Sequence, residues 1–232
     1  AKAVELVRSG EAALLMKGSL HTDELMAAVV SRSSGLRTER RISHAYIMDV
    51  SGHPEPLIIT DAAINIAPTL IEKADIIRNA IDLAHVIGLA EPRVAILSAV
   101  ETVNPAIPST LDAAALMADR GQITGALLDG PLAFDNAISE AAAREKGIVS
   151  SVAGKAQILV VPDLEAGNML AKQLTFLGGA DAAGVVLGAR VPIILTSRAD
   201  SLRTRLASCA VATLLARAAT NAAPGLPQGS AA

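Results

Sequence analysis

Ser197, Arg198 and Asp200 bring a hydroxyl, a guanidinium and a carboxylate into one short segment, directly after the apolar run 191–195 and ahead of a stretch rich in Leu and Ala. The run has the make-up of a buried strand and the stretch that of a helix. The three side chains therefore sit at the carboxyl end of a strand, where open α/β sheets place their ligand crevices. A helix start carries unpaired N–H groups and a partial positive charge, so its amides add to Arg198 in holding an anion, and a phosphate is the obvious guest. Taken singly, Ser197 or Asp200 reads first as a helix cap and Arg198 as a solvated cation; only the combination favours chemistry.

Other polar residues recur where apolar runs end. Asp61 follows 57–60, Asp129 follows 127–128 and Asp163 follows the run ending at Val161 and Pro162. In a parallel sheet these ends lie along the same edge as Ser197 and Arg198 and line one cleft. Each Asp also suits a helix cap or a turn. Asn65 and Asn168 stand in loops beside these ends, where an amide binds a ligand or ties its own loop together. A second strand-to-helix corner runs from Lys17 through Ser19 and His21 to Thr22 and Asp23, with Leu25, Met26, Val29 and Val30 on the inner face of the helix that follows.

The elements that must carry these corners alternate. Strands are expected over 44–50, 56–60, 93–98, 126–128, 157–161, 184–187 and 191–195. Helices are expected over 4–15, from Thr22, and over 69–87, 109–119, 134–146, 168–176 and 202–219. Such alternation predicts an α/β fold, with a mostly parallel sheet sandwiched by helices. Breaks near His53 and over 184–192 predict two α/β domains, 1–50 plus 190–232 forming the first and 51–189 an inserted second. The last residues, with Pro224 and Pro227, read as a loose tail.

Bulk composition narrows the function. Of 232 residues 51% are hydrophobic, almost all aliphatic, with Tyr46 the one Tyr, two Phe and no Trp, so aromatic base stacking is not an expected mode of recognition. A formal net charge of −3 gives no overall footprint for nucleic acid or anionic lipid, and any phosphate site must be local. Arg32, Arg37, Arg40 and Arg41 form one basic cluster, which either binds an anion or is a solvated, paired face. The lone Cys209 lies in an apolar stretch, allows no intramolecular disulfide and reads as a small core residue. His21, His44, His53 and His85 show no metal-ligand spacing, and no metal site is expected. No dinucleotide or Walker fingerprint is present; Gly178, Gly179, Gly184 and Gly188 read as relieving a crowded turn before the last strand. Without a membrane-length apolar run or a signal pattern, the expectation is a soluble cytoplasmic protein. The chain opens at Ala1 already in helical pattern, as a fragment or trimmed product would.

KGSLHTDEL at 17–25, ITDAAINIAPT at 59–69, DGPLAFDNAI at 129–138, VPDLEAGNMLAK at 161–172 and TSRADS at 196–201 together resemble the phosphate acetyltransferase and phosphate butyryltransferase family. The match is nearest the branch often fused behind an enoyl-CoA hydratase-like domain. The resemblance implies two α/β domains of isocitrate and isopropylmalate dehydrogenase type, an interdomain cleft and a homodimer. Members begin with a further strand and helix not found before Ala1. It also implies transfer of a short acyl group between coenzyme A and phosphate, with acyl-CoA and acyl phosphate as partners and no metal or separate cofactor. On this reading Arg198 clamps the phosphate, Ser197 hydrogen-bonds the thiol, and Lys17, Ser19, His21, Thr22, Asn65, Asp129, Asp163 and Asn168 bind substrate.

Two positions depart from the acetyl-specific pattern. Thr204 stands where those members carry the carboxylate that serves as base, which leaves Asp200 as the nearest replacement. Met26 stands where they carry a second phosphate-binding arginine, for which Arg37, Arg40 or Arg41 would compensate. Both point to the butyryl-like branch or to lower activity. The rival reading is a non-catalytic domain that senses acyl-CoA, like those attached to malic enzymes. A metal-dependent decarboxylating dehydrogenase of the same fold would need clustered aspartates that the sequence does not show.

Overall fold

Short runs of Val, Ile and Leu form the strands and longer amphipathic stretches the helices. The computed structural model describes residues 1–197 and 200–222. α1 (Lys2–Arg8) leads to β1 (Leu15–Met16) and α2 (Thr22–Val30), and β2 (Ser43–Asp49) and β3 (Leu57–Thr60) precede the long α3 (Leu70–Val86). Then come β4 (Arg93–Leu97), α4 (Pro108–Ala118), β5 (Leu127–Leu132), α5 (Phe134–Ile138), α6 (Glu140–Glu145) and β6 (Ile158–Val160). α7 (Leu164–Phe176), β7 (Asp181–Leu187), β8 (Ile193–Ile194) and α8 (Leu202–Ala222) complete the described chain.

Local chemistry sets several boundaries. Thr69 caps α3 in a reciprocal box: its hydroxyl accepts the Glu72 N–H at 3.4 Å, and the Glu72 carboxylate accepts the Thr69 N–H at 2.9 Å. The helix expected over 134–146 is instead two, because Ser139 takes an extended conformation and accepts the Ala142 N–H to start α6 afresh. α7 begins earlier than expected, since the Asp163 carboxylate accepts the Ala166 N–H at 2.8 Å and opens the helix there. α1 stops at Arg8, short of the expected 4–15, and Gly10 with φ 81 turns the chain just beyond it.

Among the described residues eight strands make one sheet, in the order β1-β8-β7-β2-β3-β6-β4-β5. Pairings β1–β8, β3–β6, β6–β4 and β4–β5 are parallel, while β2–β3, β2–β7 and β7–β8 are antiparallel. The α/β, mostly parallel expectation holds, with a consequence that periodicity could not show. Three successive reversals leave β8 and β1 running against β3, β6, β4 and β5. The carboxyl end of β8 therefore does not share an edge with the ends of those four strands, which corrects the expectation of a single row of strand ends.

Alternating side chains feed two cores. Ala45, Ile58, Ile158 and Val185 pack with Ile77 and Leu83 of α3, while Met48, Leu57, Ile59 and Leu159 pack on the opposite face with Ala137 of α5 and partly buried Leu170 and Leu174 of α7. A third apolar cluster joins Val4, Leu25, Val29 and Leu36 to Val186 and Ile193 around β1 and β8.

The shortness of β8 decides where α8 docks. Pairing between β7 and β8 is confined to Val186 and Ile193, so the Gly184 amide has no ladder partner on that side. A buried amide left unpaired is costly. Ser208 of α8 accepts it at 2.9 Å and donates in turn to the Thr204 carbonyl at 2.8 Å. This contact seats the start of α8 beside the chain leaving β8 at Thr196 and Ser197.

Candidate active site

The chain leaves β8 through buried Leu195 and Thr196 and reaches exposed Ser197. Ser197 borders three cavities, of about 420, 580 and 480 Å³. Its backbone N–H donates to Asp200 Oδ2 at 2.6 Å, and the Asp200 N–H donates back to the Ser197 carbonyl at 3.2 Å. These contacts hold Ser197 and Asp200 together, and both border the 480 Å³ cavity. Arg198 lies outside the described residues.

Lys17 extends the parallel pairing of β1 with β8. Its N–H donates to the Ile194 carbonyl at 2.9 Å, which brings the corner after β1 alongside the end of β8. The Lys17 side chain is only 7% exposed, and its ammonium donates to the carbonyls of Leu20 at 3.1 Å and Gly18 at 3.4 Å. Among the described residues no carboxylate lies within ion-pair distance of it. A buried cation served by neutral carbonyls alone favours an anion beside it. Ser19 and Arg205 border the 580 Å³ cavity together with Lys17 and Thr196, so cations and hydroxyls face one space.

His21 and Thr22 start α2 and border the 420 Å³ cavity. His21 is its N-cap, with the His21 N–H donating to the Glu24 carboxylate at 3.3 Å and the ring accepting the Glu24 N–H. Asn168 of α7 borders two of the cavities and donates to the Ala62 carbonyl at 3.3 Å. Lys17, Ser19, His21, Thr22, Asn168, Ser197 and Asp200 are thus brought together.

The structure places the other candidates elsewhere. Asn65 is buried, donating to the Ile42 carbonyl at 2.9 Å and accepting from Arg41 Nε at 2.6 Å, while its amide also meets Asp61. Asp61 accepts backbone N–H groups from His44, Ala63 and Ile64 and so ties the loop after β3 to β2. Asp163 is the cap of α7. Asp129 accepts the Gly130 N–H at 2.8 Å and borders a separate cavity of about 450 Å³ with Arg120 and Ser150, at the β5 edge of the sheet. In the basic cluster, Arg41 pairs with Glu72 at 2.8 Å and Arg40 with Asp82 at 3.3 Å. Arg41 and the capping contact with Thr69 together hold the Glu72 carboxyl below its usual range, the Thr69 amide being the larger cause.

Three nearby residues escaped the sequence reading. Tyr46 of β2 borders both the 420 and the 480 Å³ cavities. Burial first, and the Asp200 charge second, push its hydroxyl up to about 12. His44, two residues earlier on the same face, is fully buried, and its ring lies edge-on to that of Tyr46 with centroids 4.4 Å apart at 69°. Burial lowers the His44 pKa to about 4 against the opposing pull of Asp61 and the Leu195 carbonyl. That carbonyl is close enough to favour the charged ring, yet neither ring nitrogen meets hydrogen-bond geometry. Arg205, one turn into α8, is the third. The available signal was the spacing of His44 and Tyr46, two polar rings on one face of an otherwise apolar strand. Among the described residues no three His, Cys, Asp or Glu side chains gather as a metal site. No described helix is long and apolar enough to cross a membrane.

A sheet flanked by helices, with a hydroxyl at a strand end and a buried cation beside it, defines an α/β protein built to hold an anionic substrate. The family model described as phosphate acetyl/butaryl transferase matches residues 1–213, and the chain belongs to that family of acyltransferases. It is 73% identical over 218 residues to the phosphate acetyltransferase of Rhizobium meliloti, covering 93% of this chain and 69% of that protein. Identity to the phosphate acetyltransferase of Rickettsia felis is 68% over 217 residues, covering 92% of this chain and 62% of that protein, so the chain spans about two thirds of these relatives. The crystal structure of a branched-chain phosphotransacylase from Enterococcus faecalis superposes with a TM-score of 0.86 at 36% identity, over 93% of this chain and 78% of that one. A 4-hydroxythreonine-4-phosphate dehydrogenase from Klebsiella pneumoniae, at 16% identity, 93% and 68% coverage and a TM-score of 0.52, shares the fold alone and makes it dehydrogenase-like.

Proposed function

We propose that the chain interconverts a short-chain acyl-CoA plus phosphate with acyl phosphate plus coenzyme A, by direct attack of the thiol. The observation that carries this reading is the meeting of three cavities at Ser197, one bordered by Lys17 and Arg205 and another floored by Ala171, Ala180 and Ala182. The first suits phosphate, and the alanines of the second, which Lys172, Asp181 and Asp200 also border, leave an apolar patch for a short acyl chain.

In the direction that forms acyl-CoA the coenzyme A sulfur attacks the acyl phosphate carbonyl, a C–S bond forms, the bond between the acyl carbon and the bridging oxygen breaks and phosphate departs. The thiol proton passes to Asp200, whose Oδ2 holds the Ser197 amide while Oδ1 has no hydrogen-bond partner among the described residues. A thiol of pKa about 8.5 needs only modest help near neutral pH. The Ser197 hydroxyl hydrogen-bonds the sulfur, while Arg198 and Lys17 offset the charge that builds on the departing phosphate. Holding two anionic substrates in contact supplies much of the remaining acceleration. No metal or separate organic cofactor enters the scheme.

A homodimer and a cytoplasmic location belong to the same reading. Leu202 and Leu206, one turn apart on α8 and 73% and 61% exposed, give a second copy an apolar surface to cover. The division into 1–50 plus 190–232 and 51–189 belongs to the same reading. Relatives named as transferases favour turnover over acyl-CoA sensing. The test is phosphate-dependent thiol release from acetyl-, propionyl- and butyryl-CoA. Tight acyl-CoA binding without phosphate-dependent release rejects the enzyme.

A further inference from the structure

Tyr46 borders two of the three cavities that meet at Ser197. One is the 420 Å³ cavity with Lys17, Thr22 and Thr196; the other is the 480 Å³ cavity with Ala171, Ala182 and Thr204. Both open at Ser197. The first offers Lys17 to an anion, while the second sets Ala171, Ala180, Ala182 and Phe176 beside charged Lys172, Asp181 and Asp200, so that its apolar part beside Tyr46 suits a short aliphatic chain.

The ring is held from several directions. β2 is paired on both sides, with Tyr46 opposite Ile59 of β3 and Gly184 of β7. His44 supports it edge-on at 4.4 Å. A Cβ at Gly184 would stand 3.1 Å from Tyr46 Cε1, 3.1 Å from His44 Nε2 and 3.3 Å from the Leu195 carbonyl. The absence of a side chain there leaves just enough room for both rings against the strand end that carries Ser197. Gly184 is therefore a packing glycine within β7, rather than the turn glycine its sequence context suggested.

We infer that Tyr46 is the specificity-determining wall of the acyl pocket, its ring closing the pocket beside Ser197 and so limiting the length of the acyl chain. This rests on the acyltransferase reading above. His44 and Gly184 act through Tyr46 as positioning residues: they do not touch the chain but fix how far the wall stands from Ser197.

The test compares wild type, Tyr46→Leu and Tyr46→Phe on acetyl-, butyryl- and hexanoyl-CoA, reading phosphate-dependent kcat/KM and, in parallel, calorimetric binding of each thioester. Tyr46→Leu is expected to shift the preference toward hexanoyl- over acetyl-CoA by about tenfold or more, the scale at which a pocket discriminates methylenes. Tyr46→Phe keeps the ring and is expected to keep the wild-type preference. A preference in Tyr46→Leu within twofold of wild type, in both turnover and binding, overturns the wall. A Tyr46→Phe shift as large as that of Tyr46→Leu overturns it too, since the hydroxyl rather than the ring would then be the determinant. Absence of phosphate-dependent turnover in wild type overturns the acyltransferase reading separately, and the binding preference still decides the wall.

Discussion

Asp200 accepts the Ser197 backbone N–H at 2.6 Å, so its carboxylate is fixed beside the residue whose hydroxyl stands at the cavity junction. Asp200→Asn preserves an acceptor oxygen for that amide but removes the base. At pH 7 it is expected to lower kcat by about tenfold to a hundredfold, at the low end of general-base effects. Above the thiol pKa of about 8.5 the thiolate forms unaided, and the deficit shrinks. A pH profile from 6.5 to roughly 9.5 checks this; a deficit that does not change with pH removes the base from the scheme.

Lys17 is buried, donates to two carbonyls and borders the same space as Arg205. Lys17→Met keeps the length of the side chain and removes the charge. The KM for phosphate is expected to rise by about tenfold or more, the scale of a charge-assisted hydrogen bond, with the KM for acyl-CoA changing less. Steady-state kinetics in both substrates separates the two, and an unchanged phosphate KM removes Lys17 from the anion site.

Arg198, by resemblance the phosphate clamp, lies outside the described residues. Arg198→Ala is expected to cut turnover by about a hundredfold or more if it stabilises charge developing on the departing phosphate. Loss of less than twofold contradicts the role.

His44 makes stability depend on pH. An exposed imidazole protonates near 6.5, whereas the buried ring of the folded chain resists until about 4. Below 6.5 the unfolded chain binds a proton that the folded chain refuses, so stability is complete above that value and is lost as pH falls toward 4. By pH 5 the loss is roughly 2 kcal/mol, or several degrees of melting temperature for a chain of this size. Melting curves at pH 7.5 and 5 should show that drop in wild type, and a smaller one in His44→Gln. Equal drops in the two proteins reject it.

Local physics made much of this legible. Thr69 and Glu72 sit at capping-box spacing, and α3 begins where that spacing predicts. Ser197 and Asp200 likewise needed only the end of an apolar run to mark them. Tyr46 was not legible in the same way, because its significance depends on Asn168 of α7 and Ser197 after β8 closing around it. Both lie more than a hundred residues further along the chain. For Asp129 the local context of a polar strand end says nothing of position, and sheet order carries it to the β5 edge, away from Ser197.

From the residues alone came the alternation of strands and helices, the family motifs and the short list of polar strand ends, since each is set by neighbours within a few turns of chain. Tertiary structure decided which of those ends meet. Side-chain alternation reports only which face of a strand is buried. Whether β8 runs with or against its neighbours depends on the hydrogen bonds β7 and β2 accept from distant segments, and those reversals turn Ser197 toward Lys17 and Tyr46 rather than Asp129.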